Sequence, residues 1–135
     1  MSTVLNLVAS HLTTLLATNI ICTALGTTLR LGSTLFLGQE PSKDRDLVTL
    51  IPYSGEPPDT GGYKYTSHVQ IRVKTDSINT GLNTQQAFIR HLHMNELNGR
   101  GLMQSLNSAP LIIGSVEGGE KNIFVTNFRI RHLRI

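Results

Sequence analysis

Alternation of apolar and polar residues marks the centre of the chain, residues 47–77. Apolar side chains occupy every second position of residues 69–73, with polar residues between them. This period of two predicts a strand with one buried face and one wet face. Residues 47–51 form a shorter apolar, β-branched run, which Pro52 is expected to stop. The following residues, 53–62, are rich in Pro and Gly and predict a long, projecting loop.

Two other stretches show the three- and four-residue spacing of an amphipathic helix. The first is expected to begin at Ser2 or Thr3 and to end near Gly26. The second is expected over Thr84–Asn98, because Gly81 delays the helix-start signal at Asp76-Ser77. The apolar stripe of the first helix is Leu5, Val8, Leu12, Leu15, Leu16 and Ile20, and that of the second is Phe88, Ile89, Leu92 and Leu97.

The last third of the chain predicts a β-hairpin. Residues 110–116 and 123–135 are two apolar runs on either side of Gly118-Gly119, a pattern that favours a tight turn. The apolar positions change parity between Ile130 and Leu133. This change predicts a β-bulge, or an exit from the sheet, near Arg131-His132.

The remaining segments complete the predicted fold. Thr34–Leu37 is expected to be a short strand, residues 39–46 a polar turn, and residues 100–110 an irregular link. The order of elements indicates an α+β fold in a single domain spanning residues 1–135. Its sheet is expected to be antiparallel or mixed, with two main helices packed on one face and a C-terminal β-hairpin.

The composition limits the classes of protein that need to be considered. Charged residues make up 16% of the chain, against about a quarter in typical soluble domains, which favours a surface covered by another subunit. The net charge of +3 is too small by itself to indicate a nucleic-acid partner. Residues 1–29 contain no charged side chain, but polar residues interrupt them too often for a membrane helix. No basic start of a signal peptide precedes Arg30, so we expect an intracellular protein without a membrane span.

No motif in the sequence has the spacing or geometry that an enzyme active site or a metal site would need. His91 and His93 would point about 200° apart on a helix and could not share one ion. Lys74 has Arg72 two residues before it, where metal-dependent nucleases of that pattern carry an acid. A nucleophile-base pair is also missing. We therefore expect no catalytic residue, cofactor or metal site, and a protein that is not an enzyme.

The charges are unevenly distributed along the chain. Residues 40–59 carry five acidic and two basic side chains, a net charge of −3, whereas residues 121–135 carry four basic and no acidic side chains. One interpretation is solvated surface. The other is a heterologous interface, in which the basic strand of one subunit meets the acidic segment of the next, and such contacts close into rings when the rotation permits.

The order of motifs over residues 30–98 resembles a phage family. A helix is followed by Thr34-Leu-Phe-Leu-Gly38, a polar gap, the stretch Ile51-Pro-Tyr-Ser-Gly-Glu-Pro-Pro-Asp59, Tyr65 and the alternating Val69–Val73. This order is similar to that of the tail-terminator or minor capsid (neck) proteins of long-tailed bacteriophages.

The resemblance implies a structural virion protein at the tail-neck junction, assembled in the host cytoplasm. Members of the family form hexameric rings that bind the last ring of the tail tube, stop its polymerisation and present a surface to the head connector. The genome passes through the bore. By this analogy the Pro-rich loop and the basic strands are candidate contact surfaces. The candidate residues are Tyr53, Glu56, Pro57, Pro58, Asp59, Arg72, Lys74, Arg129, Arg131 and Arg134.

Two other functions remain open at this point. A head-tail joining or neck completion protein would make similar demands on the sequence. A small nucleic-acid-binding module could use the basic residues of the same strands, although aromatic residues reach only 5% and single strands favour stacking platforms.

Overall fold

The computed structural model describes residues 3–14, 25–26, 29, 32–39, 46–56, 64–97, 101–115 and 122–133. Its elements are α1 (Thr3–Thr14), β1 (Leu35–Leu37), β2 (Leu47–Glu56), β3 (Lys64–Thr75), α2 (Ile78–Leu92), β4 (Asn95–Glu96), β5 (Gly101–Ser105), β6 (Leu111–Ser115) and β7 (Asn122–Leu133).

A mixed sheet is the centre of the fold. Its seven strands within the described residues follow the order β1-β2-β3-β7-β5-β4, and β6 also pairs with β7. The β1–β2 pair is parallel and every other pair is antiparallel. The predicted α+β class is therefore confirmed, as are the mixed sheet and the C-terminal hairpin, which β6 and β7 form.

Both helices pack on the same face of this sheet. Leu5, Val8 and Leu12 of α1 are buried, as predicted, in one cluster with Phe88 and Leu92 of α2. The sheet contributes the alternating residues of β3 together with Phe124, Phe128 and Ile130 of β7. Burying a large apolar side chain of this kind contributes about 1.5–3 kcal/mol, so this cluster is the main source of stability. The predicted stripe residues Leu15, Leu16 and Ile20 lie outside the described residues.

The start of α2 differs from the prediction. The helix begins at Ile78 rather than Thr84, after Ser77, whose hydroxyl accepts a hydrogen bond from the Thr80 backbone N–H at 3.2 Å. Gly81 lies inside the helix. A Cβ at this position would overlap the ring of Phe124. The glycine thus permits a close approach of α2 to β7 instead of delaying the helix.

The end of α2 also differs from the prediction. The helix ends at Leu92, whereas Asn98 was expected. Leu97 is fully buried as expected, but it follows the short strand β4 rather than belonging to the helix.

A buried side chain ties α2 to the two central strands. The Gln85 amide nitrogen donates to the Ile71 carbonyl of β3 at 2.9 Å and to the Phe124 carbonyl of β7 at 2.6 Å. Each such bond is worth about 1 kcal/mol net. Gln85 therefore fixes the helix over the β3–β7 pair, in addition to the apolar contacts.

Pro52 does not stop β2, contrary to the prediction, and the strand continues to Glu56. The Val48 N–H donates to Thr34 and the Leu50 carbonyl accepts from Gly38, so these backbone groups face β1. Residues two apart face the same edge, and the Pro52 nitrogen therefore points beyond the end of β1, where no ladder bond is required. Residues 53–56, which were predicted to begin the loop, therefore belong to β2, and the remaining loop residues, 57–62, lie outside the described residues.

The link predicted for residues 100–110 instead contains β5. Both β5 and β6 run antiparallel along the same edge of β7, so together they form one interrupted strand. Where this strand is interrupted, the backbone carbonyl of Asn127 in β7 accepts a hydrogen bond from the Leu106 N–H at 2.9 Å. The backbone N–H of Asn127 donates to the side-chain oxygen of Asn107 at 2.8 Å. The edge of β7 is therefore paired along nearly its full length.

The bulge predicted near Arg131-His132 is absent, because β7 pairs with β3 in unbroken register to Leu133. The inward position at the end of the strand is taken by His132 rather than by an apolar residue. Its ring is buried, lies 5.6 Å from the parallel ring of Tyr65, and is 2.8 Å from the Ser67 hydroxyl. Because this inward position holds a polar residue, the apolar pattern of the sequence wrongly indicated that the strand changes its buried side after Ile130.

Candidate interaction surface

The sheet face opposite the helices, here called the outer face, gathers most of the candidate residues. Directly opposed residues of antiparallel strands point to the same side, so the register of β2, β3 and β7 identifies the members of this face. The charged side chains of β3 and β7 are all basic. The outer-face residues of the three strands include Tyr53, His68, Gln70, Arg72, Lys74, Asn127, Arg129 and Arg131.

One row of outer-face side chains crosses four strands. Tyr53 of β2, His68 of β3, Arg129 of β7 and Gln104 of β5 are successive partners in the register. The Tyr53 and His68 rings stack at 5.1 Å, and the Arg129 guanidinium donates to the Gln104 side-chain oxygen at 2.6 Å. Burial raises the pKa of the Tyr53 hydroxyl. This row therefore holds an aromatic pair and a positioned cation on one surface.

A second contact joins the centre of the outer face. The Gln70 amide of β3 donates to the Asn127 side-chain oxygen of β7 at 3.1 Å. Side-chain pairs directly across neighbouring strands stabilise a sheet by about 0.2–1 kcal/mol each. The face is consequently an ordered array and not a set of independent solvated side chains.

Arg131 is the most accessible basic residue of this array. It is exposed and lies opposite Thr66 of β3 and Leu102 of β5. Continuing the same row in both directions leads to Glu56 at the end of β2 and to Glu96 of β4. The cation thus occupies the middle of a row whose ends are acidic positions.

Lys74 does not belong to the accessible surface, although the alternation placed it on the wet face. It lies on the outer face in register, but it is only 3% exposed, and its neighbours Leu47 and Thr49 of β2 are fully buried. Arg72 is half-buried. Arg129 is half-buried as well, so Arg131 is the exposed cation of the outer face among the side chains that the structure describes. We call Arg129 and Arg131, which lie two residues apart on β7, the basic strip.

Four candidate residues lie outside the described residues: Pro57, Pro58, Asp59 and Arg134. The structure brings together Tyr53, Arg129 and Arg131 on one face. Sequence reasoning missed His68 and Gln104, whose roles depend on the register between strands. It also missed a run of exposed apolar side chains on β6.

One member of the histidine pair, His93, has an ordinary structural role. His93 follows the last residue of α2, and its ring Nδ1 accepts a hydrogen bond from the Ser105 N–H at 3.0 Å. Among the described residues, no group of three or more His, Cys, Asp or Glu side chains is arranged to hold a metal ion. No helix in that part of the chain is long and apolar enough to cross a membrane.

An ordered sheet face with a basic strip is a surface suited to contact with other macromolecules. Comparison with protein families gives a narrower class. The model of the bacteriophage tail terminator protein family matches residues 23–132. That match covers most of the chain, which therefore belongs to this family. It is a structural component of the phage virion and not an enzyme. No curated protein matches the chain.

Proposed function

We propose that the protein caps the completed tail tube as a ring and joins it to the head-side connector. The family membership together with the basic strip is the observation that carries this proposal. A ring with a central bore would stop tube growth and leave a path for the genome, without sequence-specific binding of DNA. The ring would be hexameric, as the resemblance implies, and would lie at the tail-neck junction after assembly in the host cytoplasm.

The basic strip is our candidate for the contact with the tail tube. Arg131 is exposed and Arg129 is oriented by Gln104, so a partner that offers carboxylates meets one accessible cation and one that is held in place. Tyr53, on the same face, supplies an aromatic ring of the kind enriched at interfaces. The neighbouring segment 56–59, which includes Glu56, Pro57, Pro58 and Asp59, would extend this contact surface. Arg134 would extend it at the end of β7.

Charge reversal tests the assignment of the strip. In co-sedimentation with tail tubes of the same virus, Arg131→Glu is expected to weaken binding by more than about tenfold, because like charges across an interface cost several kcal/mol. Arg90→Glu is the matched control, since Arg90 is exposed but lies on α2, on the other side of the sheet. Equal binding by both variants would contradict the assignment.

A head-tail joining protein is the closest alternative. Binding to the head-side connector without binding to tubes would favour it. A nucleic-acid-binding module is the second alternative, and the Tyr53–His68 stack beside Arg129 is the observation in its favour. Titration with single-stranded DNA tests it, because binding through phosphates falls steeply as the salt concentration rises.

A further inference from the structure

Strand β6 exposes an apolar side chain at three successive positions. Leu111, Ile112 and Ile113 are 47%, 53% and 51% exposed. Successive residues of a strand point to opposite faces, so β6 is uncovered on both sides. Runs that are apolar on both faces are typical of strands that are covered on both faces. A strand of this composition at an edge therefore indicates that a further element covers it in the assembly.

The backbone of β6 faces outwards at Ile112. The Asn127 carbonyl accepts a hydrogen bond from the Leu106 N–H, so it faces the β5–β6 side of β7. The backbone of Val125, two residues earlier, faces the same side. Because Leu111 pairs with Val125, the Leu111 backbone faces β7. The N–H and C=O of Ile112, the next residue, therefore face away from β7, and no other strand of the described residues pairs with them.

The exposed edge lacks two of the features by which proteins block strand addition. Natural edge strands are commonly protected by charged side chains or by proline, and residues 111–115 contain neither. The opposite side of the molecule differs in this respect, because Pro52 interrupts the free edge of β2. A third protective feature, a bulge, is present between Ile112 and Gly114. Strand addition at β6 is therefore open up to Ile112, whereas addition at β2 beyond β1 is hindered by Pro52.

A second copy of the chain offers a matching edge at the other end of the sheet. Strand β1, Leu35–Leu37, is the last described strand on that side and is entirely apolar. The Leu35 carbonyl already accepts from the Gly32 N–H, and Leu35 is fully buried, so Leu37 is the position that this edge offers. The backbone groups of Thr34 and Gly38 form hydrogen bonds with β2. Successive residues of a strand face opposite edges, so the backbone of Leu37, next to Gly38, faces away from β2. Because the two edges belong to different ends of one sheet, joining them repeats head to tail and can close into a ring.

The charges of the two sides are complementary. In the sequence, residues 40–59 have a net charge of −3, and residues 121–135 have four basic and no acidic side chains. In the strands themselves these charges are Glu56 at the end of β2 and Arg129 and Arg131 of β7. Joining β6 to the next copy's β1 places its β7 about three strand spacings, roughly 14 Å, from the next copy's β2. At that distance the attraction is partly screened at physiological salt, so it orients the approach while the strands supply the contact.

We propose that β6 of one copy pairs with β1 of the next copy, so that the sheet continues from subunit to subunit around a ring. This inference rests on the proposed ring and names the surfaces that build it. The apolar side chains at residues 111–113 are covered by the neighbour, and the outer face with its basic strip remains free for the tail tube.

Proline substitution at the outward-facing position tests the pairing. Ile112→Pro removes an N–H that faces away from β7, so the ladder within the subunit is kept while strand addition is blocked. Ile112→Lys is a second variant that leaves the backbone unchanged. The matched control is Met94→Lys, because Met94 is 56% exposed but lies next to α2. By size-exclusion light scattering, both Ile112 variants are expected to weaken self-association at least on the order of 30-fold, with Met94→Lys unchanged.

Crosslinking distinguishes head-to-tail pairing from a two-fold pairing of β6 with itself. One protein carries Ile112→Cys and another carries Gln39→Cys, which lies just after β1, both in a Cys22→Ala background. Oxidation of the mixture is expected to give mainly the mixed dimer. Dimers of the Ile112→Cys protein alone would overturn the proposal.

The outcomes separate this inference from the proposed function. A ring that persists in Ile112→Pro overturns the pairing and leaves the tube-capping function intact. Loss of tube binding with unchanged self-association would assign β6 to another virion protein, and it also overturns the pairing. A ring that is broken by both Ile112 variants but that never binds tubes supports the pairing and contradicts the function.

Discussion

Replacement of Gly81 by alanine is expected to destabilise the protein, although the same change usually stabilises a helix. Alanine is favoured over glycine within a helix by about 1 kcal/mol. In this protein a Cβ at residue 81 would lie 2.5 Å from Cζ of Phe124 and closer to two other atoms of that ring. Real Cβ atoms do not approach other atoms so closely, and either the ring or the helix must move.

The magnitude follows from the opposition of these two effects. Forcing an extra methyl group into a packed core costs typically 1–3 kcal/mol, and three overlapping ring carbons place this site at the upper end. After subtraction of the propensity gain, we expect a loss of about 1–2 kcal/mol. At this chain length that loss lowers the melting temperature by about 4–8 °C.

A double-mutant cycle with Phe124→Leu isolates the contact. Leucine lacks the ring atoms that a Cβ at residue 81 would meet, so Gly81→Ala in that background is expected to be neutral or stabilising by up to about 1 kcal/mol. Asn83→Ala, at an exposed position of α2, is the control for propensity and is expected to gain a few tenths of a kcal/mol. Urea unfolding followed by circular dichroism measures the four proteins of the cycle and the Asn83→Ala control. A Gly81→Ala protein more stable than the wild type would refute the close packing of α2 on β7.

Three further changes test the rest of the fold. Ser77→Ala removes the hydroxyl that caps α2 and is expected to cost about 1 kcal/mol of unfolding free energy. Gln85→Leu removes two hydrogen bonds to strand carbonyls and is expected to cost about 1–2 kcal/mol in urea unfolding. Burial lowers the pKa of His11 from 6.5, an effect that a side-chain hydrogen bond to Asn95 opposes. Below pH 6.5 the unfolded chain therefore binds a proton that the folded protein resists, and stability falls with acidification. In urea midpoints measured between pH 7.5 and 5, His11→Gln is expected to show a smaller fall than the wild type, and an identical fall would contradict the assignment.

Local periodicity predicted the elements whose burial depends on their own sequence. Val69, Ile71 and Val73 alternate, and they are buried under the helices. The stripe of α1 behaves in the same way at Leu5 and Val8. In both cases one apolar face is sufficient to determine the conformation.

Other features depend on neighbours that a sequence does not reveal. Pro52 is tolerated inside β2 only because β1 has already ended beside it, and Gly81 is tolerated inside α2 because Phe124 occupies the space of a side chain. The strand β5 has no clear pattern of its own and is held by pairing with β7.

The candidate surface was predicted in part. Its charge could be found in the sequence, since Arg129 and Arg131 belong to a strand without acidic residues. The burial of Lys74 could not be found, because alternation assigns a side to each residue without indicating what covers that side. The positioning of Arg129 by Gln104 required the register of two strands that are 25 residues apart at this pair.

The length distribution of growing tail tubes tests the central claim most directly. Tube protein of the same virus is polymerised with and without the protein, and the products are examined by electron microscopy. If the protein is a terminator, its addition shortens the tubes and places a ring-shaped density at one end. Tubes of unchanged length with bare ends, at protein concentrations above those of the tube ends, would contradict the claim.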